Sequence, residues 1–409
     1  MPKHAKPWLV IILITLSVLY GFPALMATAF TGENGKFSFT GQFIEGWWDD
    51  DPDLFVMEPD GTKLRRVGYC YDCNASWSPD GRKLVWGGAN IWVIDADGTD
   101  PTQLTNTFDD YDPAWSPDGT QIVFESSRDE NFNREIYVMN ADGSEETRVT
   151  NDPAFDSDPV WSPNGRTIAF ASDRDGEEGK SDIYTMTPEG TSVTRLTFDP
   201  GVDFEPAWSP DGTRIAFTSH RNANNEIYVV NADGTGETRL TNDPSNDLAP
   251  TWSPDGTTIA FNRVLPEGGN RDIWVMRPDG SQQFNLTKSV PDEATPDWQP
   301  LCTVQGTSGD DTLVGTPHAD LICGVGGKDV IDGQGGNDVI FGGLGKDTIT
   351  GGPGDDVLIG EAGADTLIGG SGDDLLTSID GAGGNDRVQG GSGADECRTD
   401  PADLTEGCP

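Results

Sequence analysis

The sequence has few basic residues and few histidines. It contains 26 Lys and Arg against 69 Asp and Glu, so its 409 residues carry a net charge of −43 at pH 7. A surface this acidic repels phosphate groups, which argues against nucleic acid or an anionic membrane as a partner and favours cations or basic peptides. A salt-rich habitat would favour the same composition. The chain also has three histidines and lacks a Gly-x-Ser-x-Gly nucleophile motif, so the sequence gives no sign of an enzyme active site.

Long hydrophobic runs are absent except near the start of the chain. Lys3, His4 and Lys6 precede an apolar run from Trp8 to Tyr20, and the small residues 27–29 follow it. This layout predicts a secretory signal peptide over residues 1–29, with cleavage after Ala29. The alternative is an uncleaved membrane anchor from Trp8 to Phe30. Both alternatives place the rest of the protein outside the cytoplasm, secreted or at the cell surface.

Cysteine is scarce, and its six copies suit an oxidising compartment. Six cysteines allow fifteen pairings, but their positions suggest three local disulfide bridges: Cys70–Cys73, Cys302–Cys323 and Cys397–Cys408. The second bridge would join the end of one domain to the start of the next, and the third would cap a tail over residues 399–409. Zinc or redox chemistry at the Cys70–Cys73 pair is disfavoured because no second such pair or nearby histidine completes a site.

Glycine and aspartate, in contrast, form a regular repeat over residues 306–398. Ten nonapeptides each begin with Gly and carry an apolar residue or Cys at the eighth position. Nine of them have Gly at the fourth position, where the second repeat has His318. Three extra residues, 378–380, separate the eighth repeat from the ninth. Every repeat has Asp at its sixth position: Asp311, Asp320, Asp329, Asp338, Asp347, Asp356, Asp365, Asp374, Asp386 and Asp395.

The nonapeptide pattern predicts a stacked coil that binds a hard cation. Glycine permits the positive φ of tight turns, and the three residues after each Asp form a short strand with its apolar middle residue facing inward. One unit cannot bury that face alone, so neighbouring units stack. Carboxylate and carbonyl oxygens then converge in the turns, and such ligands select calcium. A solvated Gly-rich linker is the alternative, but it would have no need for the apolar eighth position.

These nonapeptides resemble the RTX, or haemolysin-type, calcium-binding repeat. The resemblance implies a parallel β-roll over residues 301–398, in which two repeats make one coil and each ion lies between repeats n and n+2. Asp311 would share an ion with Asp329 and Asp320 with Asp338, continuing to Asp356 with Asp374. The resemblance therefore implies about six Ca²⁺ ions.

A second repeat, of 38 to 47 residues, precedes the first. Trp-Ser-Pro-Asp-Gly begins at Trp77, Trp115, Trp208 and Trp252, with variants at Trp161 and Trp298. Pro-Asp-Gly forms tight turns, and alternating apolar residues between such turns indicate strands, four in each repeat. The first repeat lacks its Trp strand, whereas the strand at Trp298 is left over. We therefore expect that strand to complete the blade that begins at Phe37, which gives a closed six-bladed propeller over residues 36–300.

These motifs resemble the TolB-type, WD-repeat-like propeller. The resemblance implies the fold but not the function, because such propellers serve envelope complexes, peptidases and polysaccharide lyases. Binding in this family concentrates at the axial channel and loop faces. Four aspartates stand three residues before a Pro and are candidates for receiving a basic peptide or cation, with turn capping as the alternative: Asp110, Asp156, Asp203 and Asp247.

The sequence thus predicts an all-β protein, exported and non-catalytic, with a calcium-stabilised roll and a propeller that binds a protein or peptide. One alternative is a structural or adhesive cell-surface protein whose propeller has no specific ligand. Another is a propeller lyase or hydrolase. Such lyases rely on a histidine-bound metal, and His220 lies in a Ser-His-Arg loop where sister repeats have other residues.

Overall fold

Short strands separated by turns make up the part of the chain that the computed structural model describes. That part consists of residues 36–42, 53–57, 64–69, 74–107, 109–128, 133–175, 180–221, 224–254, 256–264, 271–287, 292–300, 302–380 and 385–408. It contains 37 strands and no helix, and so no helix long and apolar enough to cross a membrane. The predicted signal peptide and the Cys70–Cys73 pair lie outside the described residues.

The first 24 strands form six four-stranded sheets, which are the blades of a propeller. Blade 6 takes β1 (Phe37–Gln42), β2 (Asp53–Met57) and β3 (Arg65–Tyr69) from the start of the chain. Blade 1 consists of β4 (Ala75–Trp77), β5 (Lys83–Trp86), β6 (Trp92–Asp95) and β7 (Thr102–Gln103). Blade 2 consists of β8 (Asp110–Trp115), β9 (Gln121–Ser126), β10 (Glu135–Asn140) and β11 (Thr147–Arg148).

The remaining blades repeat this order of strands. Blade 3 consists of β12 (Asp156–Trp161), β13 (Ile168–Ser172), β14 (Asp182–Met186) and β15 (Thr194–Arg195). Blade 4 consists of β16 (Asp203–Trp208), β17 (Arg214–Ser219), β18 (Glu226–Asn231) and β19 (Thr238–Arg239). Blade 5 consists of β20 (Asp247–Trp252), β21 (Ile259–Val264), β22 (Arg271–Met276) and β23 (Phe284–Asn285), and β24 (Asp292–Trp298) returns to blade 6.

Each Trp-Ser-Pro-Asp-Gly segment turns the chain from the first strand of a blade into the second. In blade 2 the hydroxyl of Ser116 donates to Oδ1 of Asp118 at 2.6 Å, and the N–H of Thr120 donates to the same oxygen at 3.0 Å. Gly119 follows with φ of 69°, a value that glycine adopts without strain. The second strand then packs its apolar residues inside the blade, as Ile122 and Phe124 do with no exposed surface. The turn therefore fixes the register from which blade packing follows.

The sixth blade closes the propeller with strands from both ends of the domain. Its sheet order is β24-β1-β2-β3, and Phe37 pairs with Trp298 in the antiparallel register of β1 and β24. The innermost strands β4, β8, β12, β16, β20 and β24 each contact the next around the ring. This arrangement confirms the six blades and the circular closure expected from the count of Trp strands.

The remaining strands form a parallel β-roll. One sheet has the order β25-β27-β30-β32-β34-β36, and the other has the order β26-β29-β31-β33-β35-β37. Their bounds are β25 (Val304–Gln305), β26 (Thr312–Val314), β27 (Leu321–Cys323), β28 (Gly326–Gly327), β29 (Val330–Asp332), β30 (Val339–Gly345), β31 (Thr348–Pro353), β32 (Val357–Gly363), β33 (Thr366–Ser371), β34 (Leu375–Ser378), β35 (Arg387–Ser392), β36 (Glu396–Thr399) and β37 (Leu404–Glu406). The short strand β28 pairs with a second part of β30.

Eighth-position residues fill the space between the two sheets of the roll. Leu313 is 8% exposed and the others almost fully buried in one cluster: Leu313, Ile322, Ile331, Ile340, Ile349, Leu358, Leu367, Leu376 and Val388. Burial of this row is the main apolar contribution to the stack. The parallel β-roll predicted from the nonapeptides is confirmed.

Disulfides close both ends of the roll, as the cysteine positions suggested. Cys302 bonds to Cys323 and Cys397 bonds to Cys408. The segment expected to be only a capped tail also contributes β37, which pairs in parallel with β35. Cys408 contacts the eighth-position row, so the last bridge packs against the end of the core.

Candidate metal centre and the channel of the propeller

The sixth-position aspartates of the roll form two ladders of hydrogen bonds. The N–H of Asp320 donates to Oδ1 of Asp338 at 2.9 Å, and this contact recurs 18 residues later from Asp338 to Asp356 and again from Asp356 to Asp374. The alternate repeats form the second ladder, with the N–H of Asp311 donating to Oδ1 of Asp329 at 2.8 Å. Each carboxylate is therefore held between repeats n and n+2, the spacing expected for shared ions.

The second carboxylate oxygen of most of these residues has no partner. Oδ2 is buried and lacks a hydrogen bond in seven of the ten: Asp329, Asp338, Asp347, Asp356, Asp365, Asp374 and Asp395. A buried carboxylate oxygen without a donor is costly unless a cation compensates it. Seven such oxygens lie along the two ladders, where each could coordinate a cation. The residues present therefore fit calcium.

The glycine that opens each repeat makes room for this oxygen. A Cβ at position 351 would lie 2.2 Å from Oδ2 of Asp356, and one at position 333 would lie 2.3 Å from Oδ2 of Asp338. No side chain fits at those separations. The first-position glycine is thus a steric requirement of the carboxylate site as well as of the turn.

Burial makes these carboxylates weaker acids than usual. It raises the pKa of Asp338, Asp356 and Asp365 to about 7 and that of Asp374 to about 6, with neighbouring carboxylates adding to the effect. The backbone N–H that each accepts acts in the opposite direction but does not cancel the cost of desolvation. Burial also raises the pKa of Asp329, Asp347 and Asp386. Without a cation the ladders therefore favour protons.

The first two repeats differ from the others. Oδ2 of Asp311 accepts the N–H and the hydroxyl of Thr307, and Oδ2 of Asp320 accepts both groups of Thr316 at 2.6 and 2.9 Å. Threonine occupies the second position only in these two repeats. His318 is exposed, and its N–H donates to the Thr316 hydroxyl. The threonines thus supply the donors that the later carboxylates lack.

The three inserted residues do not break the ladders. The N–H of Asp365 donates to Oδ1 of Asp386 at 2.8 Å, and that of Asp374 donates to Oδ1 of Asp395 at 3.1 Å, each across 21 residues. Asp380, within the insertion, accepts the N–H of Gly363 through its own carboxylate. Asp386 and Asp395 therefore occupy the same places in the stack as the earlier aspartates.

The four propeller aspartates chosen as candidate partner-binding residues lie inside their blades. Asp110, Asp156, Asp203 and Asp247 have no exposed surface, and each forms an ion pair of 2.6 to 2.8 Å with an arginine of its own blade. In blade 4 the partner is Arg221, whose guanidinium also lies 4.4 Å from the centre of the Tyr228 ring. A basic ligand would have to displace these arginines, so the geometry suits a role within the blade.

A different set of acids lies on the innermost strands. Asp112, Asp158 and Glu205 each directly precede the Pro of the Trp strand and have φ of 47°, 52° and 53°. Glu125 joins them from β9, and ligand oxygens of Asp112, Glu125 and Asp158 lie within 4.8 Å of one another. We call these four residues the channel acids. Their sequence signal is an acidic residue directly before Pro in three consecutive blades.

The channel acids also connect neighbouring blades. The N–H of Asp158 donates to Oε2 of Glu125 at 3.1 Å, and the N–H of Ala249 donates to Oε2 of Glu205 at 2.8 Å. Asn74 of blade 1 donates to Asp112 of blade 2. Each carboxylate thus satisfies a backbone or amide donor across a blade boundary.

Burial and mutual repulsion shift the acidity of this cluster. The pKa of Asp112 and of Glu205 rises to about 7, first from burial and then from the nearby charge of Asp158. Burial also raises the pKa of Glu125 and Asp158. Nearby arginines offset part of this: Nη1 of Arg134 lies 2.7 Å from Oε1 of Glu125, and the charge of Arg271 acts to lower the pKa of Glu205. The cluster is therefore a partly compensated, electronegative region around the axis.

Comparison with known proteins gives two families, one for each part of the chain. The model of the TolB beta propeller domain matches residues 112–202 and 199–304. The model of the RTX calcium-binding nonapeptide repeat matches residues 303–331, 315–349, 324–358, 341–376 and 378–399. A comparison with curated proteins gives no match.

Several solved structures share the propeller fold. TolB from Acinetobacter baumannii is 24% identical with a TM-score of 0.57, over 65% of this chain and 67% of that one. A putative TolB from Agrobacterium tumefaciens is 22% identical with a TM-score of 0.52, over 66% of this chain and 100% of that one. Hydrazine synthase from Kuenenia stuttgartiensis is 14% identical with a TM-score of 0.54, over 69% of this chain and 50% of that one. At these identities the likeness shows the fold alone.

Proposed function

The chain joins a TolB-type β-propeller to RTX calcium-binding repeats, and we propose that it is an exported, non-catalytic calcium-binding protein whose propeller binds a protein or basic peptide. The observation that carries the calcium role is the set of seven buried aspartate oxygens without a hydrogen-bond donor. Calcium would supply the positive charge and oxygen coordination that these sites lack. The eight aspartates from Asp311 to Asp374 form six n/n+2 pairs, so these repeats would hold about six ions.

Export is supported by the disulfides and by the chemistry of the ladders. Cys302–Cys323 and Cys397–Cys408 require an oxidising compartment to form. Extracellular calcium modules typically have dissociation constants of about 10⁻⁴–10⁻³ M. A roll that fills its sites outside the cell would gain folding free energy from calcium there. The predicted signal peptide over residues 1–29 agrees with this route.

For the propeller, the channel acids are the groups best suited to a cationic ligand. The four carboxyl groups are only partly compensated by the charges of Arg134 and Arg271, and Asp112, Asp158 and Glu205 keep part of their surface exposed. A lysine or arginine side chain entering at the axis would be favoured by this field. Asp110, Asp156, Asp203 and Asp247 would then stabilise their blades and would not contact the ligand.

Isothermal titration calorimetry of the full chain with Ca²⁺ tests the roll, with Mg²⁺ as the control ion. We expect uptake of several Ca²⁺ ions with dissociation constants of about 10⁻⁴–10⁻³ M, together with an increase in the strand signal of circular dichroism. No heat and no spectral change at 10 mM Ca²⁺, a concentration about tenfold above that range, would contradict the calcium role.

Fluorescence anisotropy with labelled oligolysine and oligoglutamate peptides tests the propeller. We expect oligolysine to bind and Glu205→Gln to weaken its binding. Asp233→Asn is the matched control, because Asp233 lies on an exposed turn; at about pH 9, where Glu205 is ionised, each variant removes one carboxylate charge. Equal weakening by both variants would show attraction to the overall charge alone and would argue against a specific channel site.

A further inference from the structure

The two sheets of the roll differ in what they present outward. In the even-numbered repeats the seventh and ninth positions are mostly apolar, and six of their side chains are at least 94% buried: Cys323, Phe341, Val357, Ile359, Leu375 and Thr377. In the odd-numbered repeats none of the residues at these positions is buried, and Val314 and Val330 are each 48% exposed. We call the outward side of the even repeats the docking face. A buried outward face means that another part of the chain covers it.

Turns of the propeller contact this face. A Cβ on Gly165, in the first turn of blade 3, would lie 2.9 Å from Cδ2 of Leu375. Next to it, Nη2 of Arg166 donates to the carbonyl oxygens of Asp374 and Ala394 at 3.0 and 2.6 Å. The corresponding position in blade 4 is Thr213. Blade 1 has Arg82 at this position, and in blade 3 the arginine hydrogen-bonds to the roll.

The first turn of blade 2 makes a second polar contact. Oδ2 of Asp118 accepts from Nη1 of Arg398 at 2.8 Å and from the hydroxyl of Thr377 at 3.4 Å. Oδ1 of Asp118 meanwhile caps its own turn, as Oδ1 of Asp211 does in blade 4. Asp118 is 4% exposed, whereas Asp211 is exposed to solvent. The roll therefore bonds to Oδ2 of Asp118, the carboxylate oxygen that does not cap the turn.

These contacts lie at the C-terminal end of the ladder that begins at Asp320. Arg166 binds the backbone of Asp374, whose N–H donates to Oδ1 of Asp395 and whose Oδ2 has no partner. Thr377 and Arg398 are the ninth residues of the two repeats that contain these aspartates. The same two turns are thus held by the propeller on one side and carry orphaned carboxylate oxygens on the other.

We propose that calcium binding by the Asp374 and Asp395 turns and docking of the roll on the propeller are one coupled equilibrium, an inference that rests on the proposed calcium function. Arg166, Asp118 and Arg398 act as positioning residues. Calcium orders the turns that the propeller holds, and the propeller orders the same turns for calcium. Because coupling between two binding events is reciprocal, loss of either one weakens the other. Without calcium the docking face and the turns of blades 2 and 3 become accessible to solvent.

Hydrogen–deuterium exchange of the full chain, with and without Ca²⁺, tests this coupling. We expect Ca²⁺ to slow exchange at least about tenfold in the first turns of blades 2 and 3, residues 115–121 and 161–167. The equivalent turn of blade 4, residues 208–214, should not respond. This comparison needs no substitution, so it does not depend on a variant that folds.

Two substitutions with a matched control extend the test. Asp118→Asn keeps the turn-capping oxygen but removes the charge facing Arg398, and Arg166→Thr introduces the type of residue found at this position in blade 4. We expect each to raise the Ca²⁺ concentration needed to protect β34 and β36 by about fivefold or more. Asp211→Asn, at the solvent-exposed turn, should leave that concentration unchanged.

The outcomes separate the two proposals. If the roll strands respond to Ca²⁺ but the turns of blades 2 and 3 do not, the coupling is refuted and the calcium function stands. Equal effects of Asp118→Asn and Asp211→Asn would also refute it. If no part of the roll responds to Ca²⁺, both proposals fail.

Discussion

Phe37 and Trp298 pair across β1 and β24 with their ring centroids 3.7 Å apart, although they lie at opposite ends of the propeller sequence. Phe37 has no exposed surface and Trp298 is 7% exposed. Because this pair joins the first and last strands of the ring, we expect Phe37→Ala to lower the free energy of unfolding by about 3–5 kcal/mol. Denaturant unfolding followed by tryptophan fluorescence measures the change.

Phe198 provides the control for this substitution, because its side chain is 68% exposed. We expect Phe198→Ala to change the free energy of unfolding by less than about 1 kcal/mol. A similar small effect of Phe37→Ala would mean that the closing strand contributes little to propeller stability.

The second prediction concerns the ion pairs inside the blades. Both carboxylate oxygens of the fully buried Asp203 accept from Arg221, at 2.9 and 2.8 Å. We expect Arg221→Met to reduce the free energy of unfolding by about 3–5 kcal/mol, because it leaves a buried charge without its partner. Arg277→Met, at an exposed position, is the control and should have little effect. Thermal unfolding compares the two variants. If Arg221→Met and Arg277→Met lost the same stability, the role of Asp203 inside the blade would be refuted.

The third prediction compares calcium binding after substitution of a sixth-position aspartate and of the aspartate directly before it. Oδ2 of Asp356 is orphaned, whereas Asp355 is partly exposed and its Oδ1 accepts the N–H of Asp373 at 2.8 Å. We expect Asp356→Asn to raise the Ca²⁺ concentration at half-saturation roughly tenfold or more, because it removes a charged ligand. Asp355→Asn should bind Ca²⁺ nearly as well as the wild type. Calorimetric titration of the two variants gives the comparison.

Asp355→Asn is a well-matched control, since Asn337 occupies the same place in another repeat. Oδ1 of Asn337 accepts the N–H of Asp355 at 3.0 Å, so an amide serves that position. If the two variants lost calcium equally, the overall charge of the roll and not the sixth-position ligands would govern binding.

The fourth prediction is a pH dependence of propeller stability. Burial raises the pKa of Asp297 to about 6, although the carboxylate accepts the N–H of Trp77 at 3.0 Å. The Asp297 carboxyl group therefore binds a proton more tightly in the folded state than in the unfolded state, where its pKa is near 3.8. The contribution of Asp297 to stability is greatest below pH 4, decreases as the pH rises to about 6 and is constant above it, a change of up to about 3 kcal/mol.

Asp297→Asn removes this titration. Unfolding measured at pH 4 and pH 8 should show the variant gaining stability relative to the wild type as the pH rises. Asp279→Asn is the control, because Asp279 is on an exposed turn and hydrogen bonds from Ser281 lower its pKa. A stability difference between wild type and Asp297→Asn that is the same at both pH values would exclude the raised pKa.

Sequence periodicity was sufficient to predict the two folds, because the turn residues and apolar positions recur at a fixed spacing in each repeat and so determine the strand register. The position of Trp298 predicted the closing strand, and the eighth positions predicted the core of the roll. The two described disulfides followed from the positions of Cys302, Cys323, Cys397 and Cys408. In each case local turns and a repeated apolar residue determine the structure.

Other features depend on contacts between repeats that no single repeat displays. Three of the channel acids, Asp112, Asp158 and Glu205, lie at the same point of successive blades, where a register shift and a positive φ interrupt the first strand directly before Pro. Thr307 and Thr316 supply donors to Asp311 and Asp320, a difference visible only when the second positions are compared. Asp203 and its counterparts are paired with arginines about 18 residues later in the chain, and strand pairing alone brings those groups together.

The alternation between even and odd repeats limits how such a roll can grow. Insertion of one nonapeptide before β30 would exchange the two sides of every later coil, so that Phe341 and Ile359 would meet water and the threonines of β31 would meet the propeller. Insertion of two would restore the original orientation. Whole nonapeptides can therefore be added before β30 only in pairs, eighteen residues at a time, if the propeller and the roll are to keep their contacts.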